Sequence, residues 1–166
     1  NSIDQNKLTT TAADQDTITG GNGSALAAQH VPEMRKTMVA GESYAADTTF
    51  AVRIARDGET AGRVYKAEYD TTSDDLFYVI GVVQPSSAIS AGQNVEVIMA
   101  GEIDLATNDA AFASAEIGQP VHLQGSGAWD AVSQITYSSG QASVRFGMVQ
   151  ETSKILVQPM QLNGVN

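Results

Sequence analysis

The segment Ile80-Gly81-Val82-Val83-Gln84 returns 66 residues later as Phe146-Gly147-Met148-Val149-Gln150. Each copy follows strand-like sequence broken by turns, and each leads into a second apolar run. In the first copy that run is Val95-Glu96-Val97-Ile98-Met99; in the second it is Ile155-Leu156-Val157. An approximate repeat of this size predicts two related β-units packed on each other. Gly81, in the middle of its apolar run, predicts a bulge or a close backbone contact. The repeat constrains architecture and carries no chemistry of its own.

The sequence around the repeat has a period of two. Residues 48–54 place Phe50, Val52 and Ile54 on one side with Arg53 opposed, and Asp57-Gly58 then supplies a tight turn. Arg63-Val64-Tyr65-Lys66-Ala67 alternates again. Residues 76–83 form a nearly continuous apolar run, the pattern of a strand buried on both faces. Val95, Val97 and Met99 alternate with Glu96, although Ile98 interrupts the polar face. Val144, Phe146 and Met148 oppose Ser143, Arg145 and Gly147, and Gly125-Ser126-Gly127 reads as a turn before Trp129. Short strands with turn chemistry between them predict a mostly β chain, a compact β-barrel or β-sandwich of two approximate β-repeats. Helix is expected only in the N-terminal region and in the connection over 104–117.

Residues 1 to about 30 differ from the rest. Thr9-Thr10-Thr11, Asp14-Gln15-Asp16 and Gly20-Gly21-Asn22-Gly23 offer too little apolar surface to offset their ordering entropy. They read as an extended arm, with a short helix around 24–30 as its fixed point. Pro32 argues against a central strand nearby, so residues 31–39 read as a connector. The expected division is an arm and linker over 1–37 and a β-domain over 38–166.

Composition narrows the possible partners. Nineteen acidic against nine basic side chains give a formal charge of −10, which argues against phosphate-backbone binding and against anionic membrane surfaces. There are no cysteines, so disulfides, thiolate catalysis and thiolate metal sites are all excluded. No stretch approaches the roughly 18 apolar residues that read as a spanning helix. No charged segment followed by an apolar run opens the chain.

The search for chemistry is brief. The two histidines, His30 and His122, have no local ligand spacing around them, and His122 reads as a strand residue facing solvent or an interface. Asp74 and Asp75 would point to opposite faces of a strand, and Asp14-Gln15-Asp16 lacks the glycine and distal glutamate of a calcium loop. Trp129, with Tyr137, is a candidate carbohydrate platform, although an isolated tryptophan more often belongs to a core. No catalytic residue, no metal ligand set and no cofactor are expected.

Several phrases resemble those of bacteriophage virion proteins of the capsid decoration and head-fibre class. They are Met38-Val39-Ala40-Gly41-Glu42 leading to Phe50-Ala51-Val52-Arg53, residues 58–67, Ile80-Gly81-Val82-Val83, and Ala91-Gly92-Gln93-Asn94-Val95 followed by Gly101-Glu102-Ile103. Ile117-Gly118-Gln119-Pro120-Val121 and Ile155-Leu156-Val157-Gln158-Pro159 complete the series, which spans roughly 38–160. The resemblance implies a cement subunit on the outside of a phage head, made in the host cytoplasm and bound to the major capsid protein. It also implies self-association, with a trimer preferred and a dimer as the alternative. No nucleic acid or membrane partner follows from it. Leu26, Val31, Met34, Arg35 and Met38 are the candidate capsid or oligomer interface. The alternative within the same class is a tail-fibre or baseplate module that binds glycans.

Overall fold

The computed structural model describes residues 34–68, 78–136 and 142–165, with side chains over 143–158 in the last segment. The chain is mostly β. Nine strands form one hydrogen-bonded sheet: β1 (Met34–Ala40), β2 (Phe50–Ile54), β3 (Arg63–Lys66), β4 (Gly81–Val83), β5 (Asn94–Asp104), β6 (Pro120–Gly125), β7 (Ala128–Ala131), β8 (Ala142–Glu151) and β9 (Lys154–Val165). Two single 3₁₀ turns, Ser114–Glu116 and Val132–Gln134, are the helical elements described. The first falls in the connection where helix was expected. Of the arm and linker expected over 1–37, residues 1–33 lie outside the described residues, and the expected boundary at 37/38 falls inside β1.

The sequence repeat is a repeat of topology. β2 pairs with β3 and β4, and β4 with β5, all antiparallel. β6 pairs with β7 and β8, and β8 with β9, in the same sense. Equivalent residues can be read from the register. Val52 lies opposite Gly81 as Val121 lies opposite Gly147, and Val83 opposite Val97 as Val149 opposite Ile155. The two units join where β5 pairs antiparallel with β9, Gly101 with Val157 through Asp104 with Lys154.

The two glycines explain why the repeat is centred on them. A Cβ on Gly81 would run into the backbone carbonyl of Ile98, and one on Gly147 would lie 2.7 Å from the carbonyl of Leu156. At each position only a residue without a side chain lets the partner strand approach.

Unit one closes on itself. β1 pairs antiparallel with β5 along its length and parallel with β3 at Val39 and Ala40, so β1-β3-β2-β4-β5 form a ring. The connector expected over 31–39 is therefore corrected: from Met34 onward it is a strand paired with β5, and at Val39 and Ala40 it pairs with β3 as well. Pro32 itself lies outside the described residues.

The ring has its own core of Ala40, Tyr44, Val52, Val64, Val83, Val95 and Val97. A second core lies on the other side of the same wall. It takes Ala51 from β2, Val82 from β4 and Ile98 from β5, and packs them with Leu123, Phe146, Ile155 and Val157. The wall is thus apolar on both faces, and the Ile98 that interrupts a polar face in the sequence is a core residue. Alternation fails elsewhere for related reasons. Ile54, expected inside, is 51% exposed, and Arg53, expected opposite the core, is buried. In the described part of the run over 76–83, Gly81–Val83 is strand and Tyr78 is exposed; residues 69–77 lie outside those described. In β8 the register shifts between Arg145 and Gly147, so burial passes from Val144 and Phe146 to Gly147 and Val149 and leaves Met148 half-buried.

Candidate functional site

Polar side chains gather in two surface hollows among the described residues. The first, of about 210 Å³, lies between β7 and the connection after β5, and is lined by Thr48, Asn108, Asp109, Phe112, Trp129 and Asp130 among others. Asp109 builds one wall. Its carboxylate accepts from the backbone N–H of Thr49 (3.0 Å), from Thr49 Oγ1 and from the backbone N–H of Ala106 (2.8 Å). The residue latches the connection onto the start of β2, and three donors leave it committed to that work. The signal for it in the sequence is Thr107-Asn108-Asp109, a side-chain-capped turn composition.

Trp129 forms the floor. Its indole Nε1 donates to the carbonyl of Thr49 at 3.0 Å, and its ring packs against Phe112 at 5.8 Å and Phe146 at 6.5 Å between centroids. The indole is half-buried, so one edge belongs to the second core and another borders the hollow. The expected sugar platform is mostly a core residue with its donor already used. Its companion Tyr137 lies outside the described residues.

The equivalence of the repeats brings together two residues that the sequence does not connect. Arg53 follows Val52 and lies opposite Tyr65; His122 follows Val121 and lies opposite Asp130. Both are buried, at 4% and 3% exposure. Arg53 is held by Glu59 through two hydrogen bonds of 2.7 Å, NH1 to Oε2 and NH2 to Oε1, with its guanidinium 5.4 Å from the Tyr65 ring centroid. That bond raises the Arg53 pKa and lowers that of Glu59. His122 was expected to face solvent or an interface and is instead buried within the chain. Its Nδ1 lies 3.1 Å from Ser143 Oγ, and burial, with Arg145 next in importance, lowers its pKa. Asp130 is shifted upward, chiefly by burial. Serine, histidine and aspartate thus share a neighbourhood, but neither Ser143 nor His122 lines either hollow described here.

The second hollow, about 250 Å³, lies beside the start of β1 and includes Arg35, Glu96, residues 84–87 and Ile98. Here the candidate interface residues can be placed. Met34 is 55% exposed; Arg35 NH1 bonds Glu96 Oε2 across the β1–β5 pair; Met38 packs on the ring core. The register shifts between Met34 and Arg35, where β5 carries one extra residue, Met99. Leu26 and Val31 lie outside the described residues, as do His30, Asp14, Asp16, Asp74 and Asp75. No group of three or more potential metal ligands occurs among the described residues, and no helix among them is long and apolar enough to cross a membrane.

Comparison of the sequence with family models finds no match, and comparison with curated proteins finds none.

Proposed function

We propose that this chain is a structural subunit of a bacteriophage particle, a decoration or cement protein that binds the outer face of the major capsid shell and bridges neighbouring subunits. One observation carries the reading. The phrases that resemble decoration proteins fall, in order, on the elements of one duplicated β-body: the end of β1 and the start of β2, then β3, β4, β5, the start of β6, and β9. The glycines within the phrases that carry the resemblance, Gly58, Gly81, Gly92 and Gly118 among them, lie in turns or at a close strand contact in this chain.

The chemistry is consistent with a holding role. The hydrogen bonds of Arg53 to Glu59, of Asp109 to Thr49 and of Trp129 to Thr49 all serve to hold the fold. An acidic chain of net charge −10 avoids nucleic acid before assembly. Many copies on a repeating lattice turn modest single contacts into firm retention. Self-association into a closed symmetric oligomer, a trimer or a dimer, belongs to the same proposal.

The test is co-sedimentation of the purified chain with DNA-filled heads, followed by labelling of intact particles with an antibody against it. Saturable binding and label on the head support the proposal. Label confined to the tail or baseplate, or no particle binding, overturns it.

A further inference from the structure

The duplication leaves one strand position that is occupied in the first unit and, among the described residues, holds no strand in the second. In the first, β1 runs parallel to β3 at Val39 and Ala40 and completes the ring. Register maps Arg63, Val64, Tyr65 and Lys66 of β3 onto Ala128, Trp129, Asp130 and Ala131 of β7. β7 is the last strand of the sheet, with no strand on its outer side among the described residues. The chain that should have lain there begins to do so: β5 takes the place of β1 against β9, and Leu105 N–H still reaches the carbonyl of Ser153. It then turns away at 106–109, where Asp109 latches to Thr49. The 210 Å³ hollow is the gap this leaves beside β7.

A detail at the same edge fits a missing strand. In the first unit the Lys66 N–H is met by Glu42, two residues beyond β1. At the equivalent Ala131, the N–H turns to the carboxylate of the adjacent Asp130 at 2.8 Å, a local substitute for a neighbour. The lining also has a sign: two carboxylates, Asp109 and Asp130, and no basic residue.

We propose that the β7 edge is a docking slot for an extended, basic segment of another protein, which adds parallel to β7 as β1 adds to β3. Main-chain bonds to the edge supply affinity. Small apolar residues like Val39-Ala40 fit over Trp129 and Phe112, and a flanking Lys or Arg meets Asp130. The slot follows from the duplication and not from the shell reading, so failure to bind heads and failure to bind peptide are separate results.

The chain has a single tryptophan, Trp129, and it lies in the slot, so the test reads directly. The probe is the blocked pentapeptide Lys-Val-Ala-Gly-Lys, titrated into the full chain while Trp129 emission is followed. A saturable change is expected, weakened about tenfold when the peptide's valine and alanine nitrogens are methylated, since the edge bonds are then lost. Asp130→Asn should weaken the lysine peptide by about threefold and leave a version with serines in place of lysines unaffected. No emission change up to about 10 mM, the ceiling set by the weakness of millimolar complexes, overturns the proposal, as does equal binding of the methylated peptide. Self-association of the chain that the pentapeptide competes away would assign the slot to a second copy and overturn the foreign partner.

Discussion

At the scale of single residues, the two repeat glycines and the two buried polar residues make the sharpest claims. The groups facing Gly81 and Gly147 are backbone carbonyls, which cannot swing aside as the tip of a side chain can. Gly81→Ala should therefore force β4 and β5 apart and destabilise the fold by about 2–3 kcal/mol, and Gly147→Ala, with a little more room, by about 1–2 kcal/mol. Urea denaturation of the two variants checks both the size and the order. His122 and Glu59 give a pH profile with two windows. The folded-state pKa of His122 is lowered from 6.5, so the unfolded chain takes up the proton first and stability falls as pH drops below about 6.5. Glu59, lowered from 4.5 by Arg53, contributes stability above its unfolded value that is lost below it; Asp130, raised from 3.8, acts in the opposite sense there. Unfolding free energies from pH 8 down to 5 should show the upper loss, and His122→Gln should flatten it. The close contact at Gly81 was legible in the sequence, because a glycine centred in an apolar run has few other uses. The burial of His122 was not, because alternation assigns a face only when one side of a strand is wet, and β6 has cover on both.

At the scale of elements, β5 shows how one strand serves two cores, and why period-two reading loses its grip there. Val97 points into the ring and Ile98 into the second core, so neighbouring residues on opposite faces are both buried. The sequence shows this only as an interruption in a polar face. β1 was harder still. Its sequence, Met-Arg-Lys-Thr-Met-Val-Ala, has four exposed residues before its first half-buried one, and its strand state comes from bonds to β5 and β3, which lie 24 or more residues away in the chain. Nonlocal pairing of this kind leaves no mark on the segment itself. The two faces of β5 can be told apart in solution. Ile98→Ala should cost about 2–4 kcal/mol and shift native Trp129 emission, since both residues belong to the second core. Val97→Ala should cost about 2 kcal/mol and leave that emission unchanged, because its cavity opens inside the ring. Equal emission changes in both variants would mean that the wall does not separate the cores.

At the scale of the whole molecule, the duplication raises the question of whether the units stand or fall together. Four features tie them. The wall of β2, β4 and β5 lends one face to each core. β5 carries β1 on its first half and β9 on its second. Gly127, in the turn before β7, accepts from Ala51 N–H and donates to Ala67, so the second unit is bonded to the ends of β2 and β3. Trp129 and Asp109 add further bonds to Thr49. Loss of either unit would therefore strip one face of a wall that the other needs, exposing Ala51, Val82 and Ile98 or removing the strand against which β9 forms. Local fluctuations can open an edge such as β7, but neither core can empty alone without a penalty paid in the other. Unfolding should be a single transition, with far-UV circular dichroism, Trp129 emission and hydrogen exchange at ring residues such as Val52 and Val64 sharing one midpoint. An earlier midpoint for Trp129 than for the ring amides would mean that the second unit melts by itself, with the ring as the independent fold and the duplicate an appendage to it.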